Sequence, residues 1–182
     1  MIDRDVKRCL GQMIKGVQVV AATDGSLTRA YTSHWVTQVS FDEPIVMASV
    51  SPKHDTYPLM KDQGWFTVSL LAADQISEGQ YFSYPGHKFK YVAPEYLELN
   101  RTGEPFVPNC IAWFRCNVFD RIERFDHDLF FATVESVSEG RLKEPPLLYS
   151  ARHGWRSTGE NAREKGRSVR DELLQRVSES GE

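Results

Sequence analysis

The sequence predicts a mostly β protein, in which an antiparallel sheet closes into a barrel and short helices lie at the periphery. At least six segments have the length and the apolar or alternating pattern of strands. Few long helical patterns separate them, which favours antiparallel pairing. Closure into a barrel would hide the edges that such a sheet otherwise leaves exposed.

The predicted strands follow one another at short intervals. Asp24-Gly25 marks a turn after the first strand, and Glu43-Pro44 interrupts the pattern before the fourth. Residues 83–110 are rich in proline and glycine and are predicted to be mostly loop. The strands are predicted at residues 17–22, 28–33, 36–41, 45–51, 65–71, 111–119 and 129–137, with 146–150 as a short final strand.

Short helices are predicted at three places. Residues 3–14 form an amphipathic pattern that Asp3 caps and Gly16 ends. A second helix is predicted over 56–63, capped by Asp55 or Thr56, and one or two helical turns over 74–82. The apolar stripe of the first helix consists of Val6, Cys9, Leu10, Met13 and Ile14.

Composition limits the class of protein. The 182 residues are 41% apolar and 12% aromatic, enough for one domain with a core. A net charge of -3 gives no overall attraction to nucleic acid or to an anionic membrane, so we expect neither as a partner. There is no run of about 20 apolar residues and no signal-peptide pattern at the N-terminus, so we expect a cytoplasmic protein.

Metal binding and hydrolase chemistry have little support in the sequence. Cys9, Cys110 and Cys116 form no C-x-x-C pair and are predicted to be small core residues. The histidines are scattered singly, and no metal-binding spacing is present. The G-x-S-x-G motif of many hydrolases is also missing.

The segment from residue 156 to 182 has a different character. It carries equal numbers of positive and negative charges beside a narrow apolar stripe, which is typical of a solvated helix and argues against a nucleic-acid tail. Ser157-x-x-Glu160 has the pattern of a capping box. We therefore expect a domain at 1–156 and a charged helical extension at 157–182. The stripe consists of Val169, Leu173, Leu174 and Val177.

Three segments combine residues that could carry chemistry. The hydroxyls and the indole of residues 30–37 could line a planar polar ring, or Trp35 could simply lie in the core. Residues 49–56 offer hydroxyls, a lysine and a helix start, which could form a phosphate site if Asp55 caps the helix, whereas an inward-pointing Asp55 carboxylate would argue against it. In the third segment His127 lies between two acids, as a proton donor, a metal ligand or a surface residue.

Taken in order, these segments resemble the flavin reductase-like family, whose members have an FMN-binding split β-barrel. The resemblance covers roughly residues 5–156. It implies an antiparallel, Greek-key-like split barrel with peripheral helices and a homodimer with FMN near the subunit interface. It also implies hydride transfer from NADH or NADPH to the flavin N5. The matching pieces are GVQVVAATDGSLTRAYTSHWVTQVSFDEPIVMASVSPKHDT, GWFTVSLLAADQ, DHDLFFATV and PPLLYSARHGW.

The resemblance also implies roles for individual residues. His127 would lie near the nicotinamide as the catalytic residue, and Lys88 and Phe89 would close over the flavin. The isoalloxazine ring and ribityl chain would contact Thr32, Ser33, His34, Trp35 and Thr37. The rest of the ribityl chain would lie along Ser49, Val50 and Ser51. The phosphate would be held by Lys53 and Thr56.

Two positions depart from the family pattern, and both adjoin the space expected for the nicotinamide. Phe125 stands where the family often has glycine. His34-Trp35 replaces a small residue and phenylalanine, as in variants fused to flavodiiron proteins and in flavoredoxins. An FMN-binding electron-transfer module without NAD(P)H turnover therefore remains an alternative, as does a barrel used only for protein interaction. For a reductase, the electron acceptor could be free flavin, a partner redox protein or monooxygenase, ferric iron or a quinone.

Overall fold

The computed structural model describes residues 3–83 and 96–157, and this part of the chain is mostly β, as the sequence predicts. Its helices are α1 (Arg4–Leu10), α2 (Thr56–Gln63) and α3 (Ile76–Tyr81). Its strands are β1 (Lys15–Gly16), β2 (Gln18–Thr23), β3 (Thr28–Ser33), β4 (Val36–Gln38), β5 (Ile45–Val50), β6 (Trp65–Leu70), β7 (Glu98–Leu99), β8 (Pro105–Phe106), β9 (Ala112–Arg124), β10 (His127–Glu139), β11 (Leu147–Ser150) and β12 (Gly154–Ser157).

The main sheet curls strongly because of its connectivity. Its seven antiparallel strands run in the order β3-β2-β6-β9-β10-β5-β4, so β3 and β4 are its two edges. In a flat sheet these edges would lie about 29 Å apart. Only His34 and Trp35 separate the two strands in the chain, and this link spans at most about 11 Å. The two edges therefore approach each other at the His34-Trp35 crossing.

Strand β2 is buried on both faces of the main sheet. Val20 and Ala22 belong to one core cluster, with Phe66 and Phe130. On the opposite face, Val19 and the residues two positions before and after it belong to a second cluster, which includes residues of β11. A second antiparallel sheet, β1-β11-β12, contributes to this cluster, and β7 pairs with β8. Burial on both faces explains the continuous apolar run of β2.

The longest hairpin carries the third candidate segment. Strands β9 and β10 are joined by a turn of two residues, Phe125 and Asp126. Phe125 has φ 56°, a left-handed conformation that favours glycine, and its side chain is fully exposed. Strand β10 also pairs with β5, with Asp128 opposite Val50. This pairing brings the start of β10 beside the segment predicted to bind phosphate.

We expect Phe125→Gly to stabilise the protein by about 0.5–1 kcal/mol. Glycine relieves a left-handed strain of about 1–2 kcal/mol and loses less than that in chain entropy. The control is Phe41→Gly, since Phe41 is equally exposed but has no positive φ. Urea denaturation should therefore move the two midpoints in opposite directions. Destabilisation of both variants by the same amount would show that the turn stores no strain.

The N-terminal helix is shorter and more exposed than predicted. Asp3 caps it as predicted, by accepting from the backbone N–H groups of residues 5 and 6. The helix ends at Leu10 with Gly11 as its C-cap, and Gly16 lies in β1. No residue of α1 is buried, so the prediction that Cys9 is a core residue is wrong. Helix α1 has only two turns, and four of its side chains are charged and exposed, so it does not pack into the core. The corresponding prediction for Cys110 and Cys116 is confirmed.

Other differences concern the ends of elements. Strand β4 stops at Gln38 instead of reaching 41, β9 continues to Arg124, and β12 follows the strand predicted to be last. Helix α2 is confirmed, with Asp55 at its N-cap position but without a side-chain cap bond. Within the described ranges, no helix is long and apolar enough to cross a membrane. The predicted tail helix lies beyond residue 157, outside the described residues.

Candidate active site

Trp35 links the edge crossing to the β9–β10 hairpin. Its indole is 48% exposed, so it is not the core residue of the alternative interpretation. The ring of His127 meets it edge-on, with centroids 4.8 Å apart. On the N-terminal side, Lys15 Nζ lies 5.8 Å from the indole centroid. Two of the three candidate segments therefore meet at this tryptophan.

A cavity of about 620 Å³ opens beside the crossing. This volume is typical of sites for small molecules and cofactors. Four of the predicted ring-contact or ribityl-contact residues line it, namely His34, Trp35, Thr37 and Ser49. Its other lining residues, which sequence reasoning missed as site residues, are Leu10, Met13, Ile14, Lys15, Gly16, Val36, Met47 and Leu129.

His34 is held in an aromatic cluster at the wall of this cavity. Its ring stacks on that of Tyr149, with centroids 4.3 Å apart and an interplanar angle of 7°, and it meets the ring of Trp155 edge-on, with centroids 5.9 Å apart. Burial lowers the pKa of His34 to about 4, and the charge of Lys15 acts in the same direction. The imidazole is therefore neutral near pH 7, and its buried Nδ1 has no hydrogen-bond partner in the described part of the chain.

Several predicted contact residues already use their side chains within the protein. Thr32 Oγ1 donates to the carbonyl oxygen of Gly79 at 2.7 Å. Ser33 Oγ accepts the backbone N–H of Trp35 at 3.1 Å and thereby shapes the crossing. Val50 is fully buried in the core. Contacts of Ser33 and Val50 with a ligand would therefore have to be made by the backbone.

The loop before α2 is compact. The backbone N–H of His54 donates to the Ser51 carbonyl at 3.0 Å, and that of Tyr57 donates to the His54 carbonyl at 3.0 Å. The ring of His54 stacks on Tyr31 at 4.2 Å. Lys53 is exposed, whereas Thr56 is almost completely buried. Of this loop's predicted phosphate ligands, Lys53 thus has the freer side chain.

Charged groups of the β9–β10 hairpin interact with charged groups of this loop. The Nδ1 of His127 lies 3.0 Å from Asp126 Oδ1, and this contact holds the pKa of Asp126 below its usual range, with Lys53 as a weaker cause. Burial lowers the pKa of His54, and the charge of His127 lowers it further. Lys53, His54 and His127 therefore lie in one electrostatic neighbourhood. Lys88 and Phe89 lie outside the described residues.

The lining of this cavity suits a flat aromatic ligand that carries a polar chain. Trp35, Met47 and Leu129 give the cavity apolar surfaces, and Thr37 and Ser49 give it polar groups. Among the described residues, no group of three or more His, Cys, Asp or Glu side chains could hold a metal ion. The cavity lining therefore fits the ring and the ribityl chain of a flavin, whereas Lys53 and Thr56, the residues predicted to hold its phosphate, are not among the lining residues.

Comparisons with known proteins agree with this fold and define its family. Residues 10–156 match the model of the flavin reductase like domain. The reductase component of 4-hydroxyphenylacetate 3-monooxygenase from Thermus thermophilus is 32% identical over 146 residues, which are 80% of this chain and 91% of that protein. The chain belongs to the flavin reductase-like family.

Other relatives show how widely this domain is used. Diflavin flavoprotein A 1 from Synechocystis is 24% identical over 159 residues, and the chain spans about a quarter, 26%, of its length. The styrene monooxygenase flavin reductase from Pseudomonas putida S12 is 25% identical with a TM-score of 0.76, over 86% of this chain and 99% of that structure. The family therefore includes separate reductases and domains of larger flavoproteins.

Proposed function

We propose that this protein is an NAD(P)H-dependent flavin reductase that binds FMN and transfers hydride from NADH or NADPH to the flavin N5. The observation that supports this best is the cavity beside the His34-Trp35 crossing, with His127 against Trp35. When both are bound, the nicotinamide supplies the hydride and the flavin accepts it. The protein needs no side-chain nucleophile for this reaction.

The residues of the site divide into three groups by role. Those of the crossing and β5 would hold the ring and the ribityl chain, as Thr37 and Ser49 line the cavity. Lys53 would neutralise the phosphate, with Thr56 beside it, and Lys88 and Phe89 stay predicted contacts. His127 would orient the nicotinamide at reacting distance, which is the main contribution that a protein makes to such a transfer.

The choice of FMN over FAD and the identity of the partners are also part of this proposal. Reductase components of monooxygenases are among the relatives, which supports a monooxygenase or another redox protein as electron acceptor. Exposed apolar residues at the cavity, Met13 and Ile14, support a homodimer that covers them. The cysteines are free thiols, which supports the cytoplasm as the location.

Oxidation of NADH and NADPH in air, with FMN, FAD or riboflavin added, tests this function. We expect turnover with at least one nucleotide and FMN as the best acceptor. The electron-transfer alternative gains support from the indole of Trp35, which occupies space beside His127. That alternative predicts flavin binding with negligible oxidation of either nucleotide.

We expect Lys53→Ala to weaken FMN binding about ten-fold and to leave riboflavin binding nearly unchanged. Loss of one charge-assisted bond to a phosphate accounts for a change of this size, and riboflavin has no phosphate. Flavin fluorescence titration measures both affinities. The control is Lys61→Ala, since Lys61 is an exposed lysine in the last turn of α2. Equal losses for the two ligands would show that Lys53 does not contact the phosphate.

A further inference from the structure

Three side chains from three elements meet next to two residues of the candidate site, Thr56 and His127. The Tyr57 hydroxyl of α2 donates to Asp128 Oδ2 of β10 at 2.6 Å. Arg121 Nη1 of β9 donates to the same hydroxyl at 2.6 Å and lies 3.3 Å from Asp128 Oδ2. Tyr57, Arg121 and Asp128 are called the anchoring cluster below. The tyrosine hydroxyl therefore donates one hydrogen bond, to Asp128, and accepts another, from Arg121.

The buried member of the anchoring cluster is Asp128, whereas Tyr57 and Arg121 are partly exposed. Asp128 is only 6% exposed, so its carboxylate depends on the tyrosine and the arginine for its hydrogen bonds. The Arg121 guanidinium also lies 6.0 Å from the centroid of the Tyr57 ring and 5.9 Å from that of Phe130. Its other end pairs with Glu123. The three groups therefore hold one another in a single arrangement.

The position of the cluster in the chain relates it to the site. Tyr57 directly follows Thr56, and Asp128 directly follows His127. Because side chains alternate along a strand, Asp128 faces α2 while His127 faces Trp35. A bond between residues 57 and 128 thus connects the segment proposed to bind phosphate with the segment proposed to orient the nicotinamide.

We propose that Tyr57 is a positioning residue, which fixes the phosphate-binding loop 51–56 relative to the His127 hairpin through Asp128. This inference rests on the proposed function for its consequence and on the hydrogen bonds for its mechanism. Tyr57 itself need not touch the flavin. Its hydroxyl sets where Lys53 and the first turn of α2 lie when the ligand binds.

The test variant is Tyr57→Phe, which keeps the ring and its edge-on contact with Phe130, at 5.7 Å, and removes only the hydroxyl. We expect FMN to bind about five-fold more weakly, with a smaller change for riboflavin, so that the ratio of the two affinities falls. In the ligand-free protein, the backbone amides of residues 53–57 should exchange hydrogen faster than in the wild type, while those of residues 66–70 should not.

A matched control separates positioning from general stability. Glu104 is another buried carboxylate, 8% exposed, and it accepts from Arg115 of the same strand β9 at 2.9 Å. Glu104→Gln should lower the melting temperature without changing the FMN-to-riboflavin ratio or the exchange of residues 53–57. Asp128→Asn should instead resemble Tyr57→Phe in both measurements.

Two results would overturn the inference. One is a Tyr57→Phe protein with an unchanged affinity ratio and unchanged exchange at residues 53–57, whatever its melting temperature. The other is a Glu104→Gln protein that changes both quantities equally. If the wild-type protein binds neither flavin, the proposed function fails. The positioning role is then decided by hydrogen exchange in Tyr57→Phe alone. Faster exchange confined to residues 53–57 supports the role, and unchanged exchange there overturns it.

Discussion

His127→Ala is expected to slow hydride transfer about 100-fold, since small misplacements of reacting groups cost that much. Binding of FMN should change only two- to three-fold, on the order of 0.5 kcal/mol. The imidazole lies at the start of β10, edge-on to Trp35 and within 3.0 Å of Asp126, and so borders the space proposed for the nicotinamide. Its loss leaves the cavity walls and Lys53 in place.

Anaerobic stopped-flow mixing with reduced nicotinamide at saturating flavin measures this rate in a single turnover. A suitable control is His153→Ala, since His153 is exposed in the turn between β11 and β12. That variant should retain the wild-type rate. An unchanged single-turnover rate in His127→Ala would remove the histidine from the reaction. A large loss of FMN affinity would instead assign it to flavin binding.

The largest expected effect on stability is that of Phe66→Ala, which should lower the free energy of unfolding by about 3–5 kcal/mol. Phe66 lies in β6, between β2 and β9 of the main sheet, and its side chain has no solvent exposure. It packs in the cluster that also contains Phe130 and Cys116. Truncation removes buried apolar area and leaves a cavity that the surrounding strands cannot close.

Urea denaturation measures this loss, and Phe119→Ala is its control. Phe119 lies on the adjacent strand β9 but is 58% exposed. We expect its truncation to cost less than about 1 kcal/mol. Equal costs for the two phenylalanines would show that the cluster around Phe66 does not provide the core of the domain.

The strands of the main sheet were predictable because burial leaves a direct pattern in the sequence. The apolar run of β2 and the alternation in β10 reflect which faces of these strands are covered. The same reasoning failed for α1, where a helical stripe is present but no residue is buried. A stripe shows which face is apolar, and only the tertiary structure shows whether anything covers it.

The candidate site was predictable only in part. Residues 34, 35, 37 and 49 were assigned by resemblance, and they line one cavity. The stacking of His34 on Tyr149 depends on contact between two sheets, for which the sequence has no local signal. The anchoring cluster joins residues 64 and 71 positions apart, so no motif could indicate it.

The visible absorption spectrum of the protein tests the reductase proposal most directly. It should be recorded with FMN bound and again during anaerobic titration with NADH and with NADPH. We expect a yellow protein whose flavin band disappears with at least one of the two nucleotides. A protein that binds FMN but stays oxidised with both would contradict a reductase and identify an electron carrier. Failure to bind any FMN would contradict the flavin site itself.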